Sequence, residues 1–117
     1  MNDARGREND SDAKHRQLVD HFLRRTEAQI DHMRRDVPAL IADDTIAWQD
    51  LRYHAQRIAA EAEKLDLGVL GACAGELSRL ANERFAGAKL DARFLLSTTS
   101  AIEVVAIEIH ELLAQRS

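Results

Sequence analysis

The chain has little of what sheet-rich, disulfide-linked or membrane-spanning proteins need. Its 117 residues include one cysteine, one proline, five glycines and only 4% aromatic residues. The single cysteine, Cys73, excludes an intramolecular disulfide and a multi-cysteine zinc site, and we expect it to be a small apolar residue near the core. Few turn-forming and aromatic residues disfavour a sheet with many tight turns. The composition therefore predicts an all-helical protein.

Long apolar runs and an excess of basic charge are also missing. No run approaches the roughly 18 apolar residues of a membrane span, and the polar N-terminal stretch MNDARGRENDSDAK has no secretory signal. The 16 basic residues against 20 acidic ones leave a net charge of −4, which argues against nucleic-acid and anionic-membrane partners. There is no glycine-rich phosphate loop or nucleophile elbow. We expect a cytoplasmic protein without a cofactor.

Apolar residues at helical spacing mark four segments, in a chain whose length fits one domain. The first stripe comprises Leu18, Phe22, Thr26, Ile30, Met33 and Val37. The second comprises Trp48, Leu51, Ala55, Ile58, Ala62 and Leu65. The third comprises Leu67, Leu70, Ala74, Leu77, Ala81 and Phe85. The fourth comprises Leu95, Thr98, Ile102, Val105, Ile109 and Leu112.

Residues that begin or end helices separate these stripes. They are Ser11 or Asp12 as a first cap, Pro38 as a helix end or new turn, Asp43 to Thr45 as a second cap, Asp66 as a turn and cap, Gly87 in a break, and Asp91 as a last cap. Four amphipathic helices with short connections bury their stripes best around one shared core. The sequence thus predicts an up-down antiparallel four-helix bundle over residues 11–117, after a polar, disordered tail over residues 1–10.

The segment from Leu51 to Leu77, LRYHAQRIAAEAEKLDLGVLGACAGEL, has a specific layout. Its aliphatic and small residues, with a turn at Leu65-Asp66, resemble the central helical hairpin of histidine-containing phosphotransfer (HPt) domains. The matching core positions are Ile58, Ala62, Leu65, Leu70, Ala74 and Leu77. The flanking helices also fit, so the resemblance covers roughly residues 15–115, but it is specific only across the hairpin.

The resemblance implies a phosphorelay module that lacks its reactive group. The family carries a phosphoacceptor histidine, then a lysine and a glycine; this chain has Gln56, Ala59 and Ala60 there. An amide is a poor nucleophile, so the resemblance implies a non-enzymatic adaptor that binds a receiver domain or a histidine kinase without carrying phosphate. The partner-binding residues it implies are Tyr53, Gln56, Arg57, Ala59, Ala60, Glu63 and Lys64.

Two other hypotheses remain open. His54 is an alternative phosphoacceptor of an active phosphotransfer protein, although residues 54 and 56 differ by about 200° around a helix. A helical interaction or dimerisation bundle without a signalling partner is the second alternative. A metal site is not expected, because His21 and His32 would lie about 16 Å apart along a helix, and the pair His32–Asp36 has the ordinary spacing of a surface ion pair.

Overall fold

The computed structural model describes the backbone of residues 2–116 and the side chains of residues 11–116. Over that range the chain is all-helical. The elements are α1 (Asn2–Arg35), α2 (Val37–Ile41), α3 (Thr45–Lys64), α4 (Gly68–Phe85) and α5 (Ala92–Ala114). In the described part of the chain no helix combines the length and apolar content needed to cross a membrane.

The long helices run antiparallel to their neighbours. Ion pairs between α1 and α5 join Arg34 to Glu103 at 2.6 Å and Glu27 to His110 at 3.3 Å, so residue numbers fall on one helix as they rise on the other. The pair Arg25–Glu61 connects α1 to α3. Helix α4 packs between α3 and α5. The main packing order is therefore α1, α5, α4 and α3, and the buried residues of these helices form one hydrophobic core.

Side-chain oxygens begin two of the helices where the sequence predicts. The Asp44 carboxylate accepts hydrogen bonds from the backbone N–H groups of Ile46 at 2.9 Å and Ala47 at 3.3 Å. The Asp91 carboxylate accepts one from the N–H of Phe94 at 2.9 Å. Each bond satisfies a donor that has no partner within the helix. Both predicted caps are confirmed.

Three helices end in the same left-handed turn. After α3, the N–H of Leu67 donates to the carbonyl of Ala62 at 2.8 Å and that of Asp66 to Glu63 at 3.2 Å, which is a Schellman motif. Equivalent backbone bonds end α2 and α4. The residues that adopt positive φ in these turns are Asp43 (59°), Asp66 (59°) and Gly87 (104°).

A tryptophan fixes the short helix α2 against the core. The Trp48 indole Nε1 donates to the carbonyl oxygen of Leu40 at 3.1 Å, in a buried contact. Its ring lies 5.9 Å from the ring of Phe94 on α5. One side chain of α3 thus reaches both α2 and α5. Pro38 lies in the first turn of α2, which is the second of the two alternatives predicted for it.

The core confirms most of the predicted stripes. The predicted residues that are buried are Phe22, Thr26, Ile30, Met33, Trp48, Leu51, Ala55, Ile58, Ala62, Leu70, Ala74, Leu77, Ala81, Thr98, Ile102, Val105 and Ile109. The remaining positions are half-buried, apart from Leu18 and Phe85. Leu18 is 60% exposed, and Val19 and Leu23 are buried instead. At its N-terminal end, the predicted first stripe is therefore wrong by one residue.

Two predicted caps are wrong. Ser11 and Asp12 lie inside α1, because that helix begins at Asn2. Asp66 does not cap α4, whose N-cap position is Leu67 without a side-chain hydrogen bond; Asp66 instead ends α3. The predicted disordered tail concerns residues 1–10, whose side chains lie outside those described, and it stays a prediction.

The conformation of Asp66 predicts a stabilising substitution. An L-residue at positive φ is strained, whereas glycine is not. We expect Asp66→Gly to raise the free energy of unfolding by about 0.5–1 kcal/mol, measured by urea denaturation. The control is Asp50→Gly at an exposed position inside α3, which should lower it by about 0.3–0.5 kcal/mol. Destabilisation by both substitutions would show that Asp66 is not strained.

The Arg34–Glu103 pair predicts a pH-dependent contribution to stability. The hydrogen bond from Arg34 lowers the pKa of Glu103 below its ordinary value, so this contribution is present above the unfolded pKa of about 4.3 and is lost as pH falls through the folded pKa. Both side chains are partly exposed, so Glu103→Gln should cost less than about 1 kcal/mol at pH 7.

Urea denaturation at pH 7 and below pH 4 measures this effect. The difference between wild type and Glu103→Gln should disappear at the lower pH, because the Glu103 carboxylate is then protonated in both the folded and the unfolded state. A Glu103→Gln difference that persists at low pH would mean that the pair does not titrate as described.

Candidate functional site on the outer face of α3

Burial of one side of α3 determines which residues form its opposite side. The buried residues of the helix lie at steps of three and four from Ala47 to Ala62. At 100° per residue, the opposite side presents what we call the outer face of α3. Its residues are exposed: Tyr53, Gln56, Arg57, Ala60 and Lys64. The position that the HPt resemblance assigns to the phosphoacceptor, Gln56, therefore points to solvent.

Small residues border this face on the side of α4. Ala59 is half-buried, and Ala60 is exposed. Across the seam, a β-carbon on the buried Gly71 would lie 3.4 Å from Cγ of Glu63 and 3.6 Å from the Ala59 carbonyl oxygen. The space left between α3 and α4 at Gly71 is therefore about the volume of one methyl group. The surface beside this seam is therefore shallow.

A chain of hydrogen bonds fixes the other border of the outer face. The Arg57 guanidinium donates to the Tyr53 hydroxyl at 3.0 Å and to the Glu61 carboxylate at 3.3 Å. The hydrogen bond to Tyr53, and then that to Glu61, raises the pKa of Arg57. The same carboxylate accepts from Arg25 of α1 at 2.5 Å. The charge of Arg57 is thus held in place beside Gln56, while its side chain stays exposed.

His54 lies on a different side of α3. Its side chain is half-buried, and its ring meets the Tyr53 ring edge-on, with centroids 5.4 Å apart at 70°. It lines a small pocket with residues of α1 and α2, among them His32, Asp36 and Leu40. The imidazole therefore faces the junction of three helices, and Gln56 faces solvent, as expected from their angular separation.

The histidines do not form a metal centre. Among the residues whose side chains are described, no three His, Cys, Asp or Glu groups are placed to hold a metal ion. His32 Nε2 lies 3.9 Å from the Asp36 carboxylate, and His110 pairs with Glu27 across α1 and α5. These are isolated surface pairs.

Four residues near the outer face were not predicted from the sequence to belong to it. Arg25 and Glu61 lie on different helices and come together only in the fold; the Arg57–Glu61 spacing of four residues was the available signal. Phe85 was expected in the core but is 39% exposed, and the Arg52 guanidinium lies 4.1 Å from its ring centroid. This cation–π contact extends the surface towards the end of α4.

Comparison of the chain with protein-family models, curated proteins and solved structures finds no match. The resemblance to HPt domains therefore rests on the hairpin residues themselves, and the roles of Gln56, His54 and their neighbours stay predictions.

The seam with α4 predicts that two adjacent alanines respond differently to enlargement. Ala59→Leu adds three carbons beside the close contact at Gly71 and should lower the free energy of unfolding by about 1–3 kcal/mol, because overpacking strains its neighbours. Ala60→Leu adds the same volume to an exposed position and should change it by less than about 0.5 kcal/mol. Urea denaturation measures both. Equal effects would contradict the orientation of α3 described above.

Proposed function

We propose that this protein is an HPt-like adaptor of two-component signalling, with its long helices in an up-down four-helix bundle. It binds a receiver domain or a histidine kinase through the outer face of α3, without carrying phosphate. The observation that carries the proposal is Gln56: the position of the family phosphoacceptor is exposed at the centre of the face but holds an amide. Ala59 supplies no cation near it.

The chemistry of the face supports binding over transfer. Phosphoryl transfer needs a nucleophilic nitrogen, and an adjacent cation helps neutralise the phosphoryl charge. Arg57 is the nearest exposed cation on the same face, but Tyr53 and Glu61 hold its guanidinium. The groups that remain are those of an interaction surface: an aromatic ring, a shallow alanine patch and charges of both signs at Arg57, Glu63 and Lys64.

Burial makes His54 a poorer phosphoacceptor than an exposed histidine. A receiver aspartate has to approach the imidazole nitrogen in line, and the half-buried ring lies between Tyr53 and the α1–α2 pocket. Phosphotransfer through His54 is therefore the alternative that the phosphoryl-labelling experiment below tests.

Binding is tested with a panel of purified receiver domains and kinase domains from the same genome. We expect at least one to bind at micromolar concentration by isothermal titration calorimetry. Ala60→Arg should weaken that binding at least about tenfold by placing a bulky charge on the alanine patch. Ala28→Arg, at an exposed alanine of α1, is the matched control and should bind like wild type.

Phosphoryl labelling separates the adaptor from an active transfer protein. Incubation with phosphorylated receivers should leave the wild-type protein unlabelled. Acid-labile label that disappears in His54→Ala and persists in Gln56→Ala would overturn the proposal in favour of His54 chemistry. Failure of every receiver and kinase to bind would favour a helical bundle without a signalling partner.

A further inference from the structure

The outward side of α5 carries a stripe of exposed residues that the outer face of α3 does not use. Leu96 is 68% exposed, Val104 49% and Ile107 54%. Leu96 and Ile107 are eleven residues apart, which is three helical turns, so they lie on one side of the helix. Ser100, also exposed, lies between them. Large apolar side chains at Leu96 and Ile107 thus lie on either side of the small Ser100.

Opposite charges lie at the two ends of this stripe. Arg93 and Glu111 are exposed, and their separation of 18 residues is five turns, or about 27 Å along the axis. Neither forms a salt bridge with another described residue. The flanking residues Glu103 and His110 are different, because the side chain of each already contacts a residue of α1. One basic and one acidic end therefore remain available on the α5 stripe.

The residues of this stripe pair favourably with the same stripe of a second copy that runs in the opposite direction. In an antiparallel pair of α5 helices about a two-fold axis near residue 102, Arg93 of one copy lies opposite Glu111 of the other. Leu96 then lies opposite Ile107, and the small Ser100 opposite Val104. A parallel pair would instead bring like charges together at both ends. A surface that matches its own two-fold copy is what an isologous dimer requires.

We infer that the α5 stripe, defined by Arg93, Leu96, Ser100, Val104, Ile107 and Glu111, is a self-association surface that pairs antiparallel with a second copy of this chain. We infer a second copy as the partner because, in an antiparallel pair of α5 helices, opposite charges face each other at both ends and apolar residues face each other between them. A contact along one helix falls below the roughly 1,200 Å² of a stable interface, so we expect a reversible dimer with a dissociation constant roughly between 10 µM and 1 mM.

The position of the α5 stripe keeps the outer face of α3 free. Helix α5 packs between α1 and α4 and lies across the core from α3. Self-association therefore produces a particle with two outer faces on opposite sides. The inference does not depend on the proposed adaptor function, because its readout is the mass of the protein alone.

Sedimentation equilibrium from about 5 µM to 1 mM, at low and at high salt, measures the association. Wild type should shift from monomer to dimer, with weaker association at high salt because of the terminal charges. Leu96→Glu should raise the dissociation constant at least about tenfold by placing a charge in the apolar contact. Ile46→Glu, at a residue of equal 68% exposure on α3, should leave it unchanged.

Charge reversal gives the decisive comparison. Arg93→Glu alone and Glu111→Arg alone should each weaken self-association, because each creates two like-charge contacts across the two-fold axis. An equimolar mixture of these two variants should form a heterodimer at least as well as wild type, because both end contacts then pair opposite charges. The double variant should also recover association.

Three results would overturn the inference. They are a protein that stays monomeric up to 1 mM, a dimer that is insensitive to Leu96→Glu, and a mixture of the charge variants that associates no better than either variant alone. Circular dichroism of each variant checks that the helical fold is retained, so that loss of association reports on the surface.

Discussion

Burial of the stripe from Ala47 to Ala62 is the constraint on which the rest of the structure depends. A helix turns 100° per residue, so fixing the buried side of α3 also fixes its solvent side. Trp48 anchors that side at one end through its bond to the Leu40 carbonyl. Near its other end, Gly71 of α4 lies beside Ala59, Ala62 and Glu63. Gln56 points outward as a consequence, and no local rearrangement of its side chain brings it to the core.

The same constraint separates two positions that differ by only two residues in sequence. The His54 side chain lies towards α1 and α2, and the Gln56 side chain is exposed to solvent. A histidine near a site predicted from sequence is thus insufficient evidence for chemistry at that site. We propose that the chain keeps an approachable surface and lacks the nucleophile and adjacent lysine that transfer would use.

Much of the fold follows from patterns within single helices. Spacing of apolar residues located the core of α3, α4 and α5, and Asp44 and Asp91 were recognisable caps because their bonds lie within three residues. The residues whose burial or contacts the sequence did not predict have a different cause in common: their environment depends on other helices. Phe85 is the last residue of α4, where periodicity is less informative than the neighbouring helix. Leu18 lies in the middle of α1, where the adjacent Val19 is buried instead. The contact of Arg25 with Glu61 spans 36 residues and depends on how α1 packs against α3.

The outer face of α3 and the α5 stripe lie on opposite sides of the core, so partner binding and self-association need not compete. The most direct test of the central claim is amide chemical-shift mapping of the labelled protein with a receiver or kinase domain that binds it. We expect the largest shifts at Tyr53, Gln56, Arg57, Ala60 and Lys64, with the α5 stripe unaffected by the partner. Shifts centred on the pocket around His54, with Gln56 unchanged, would contradict it.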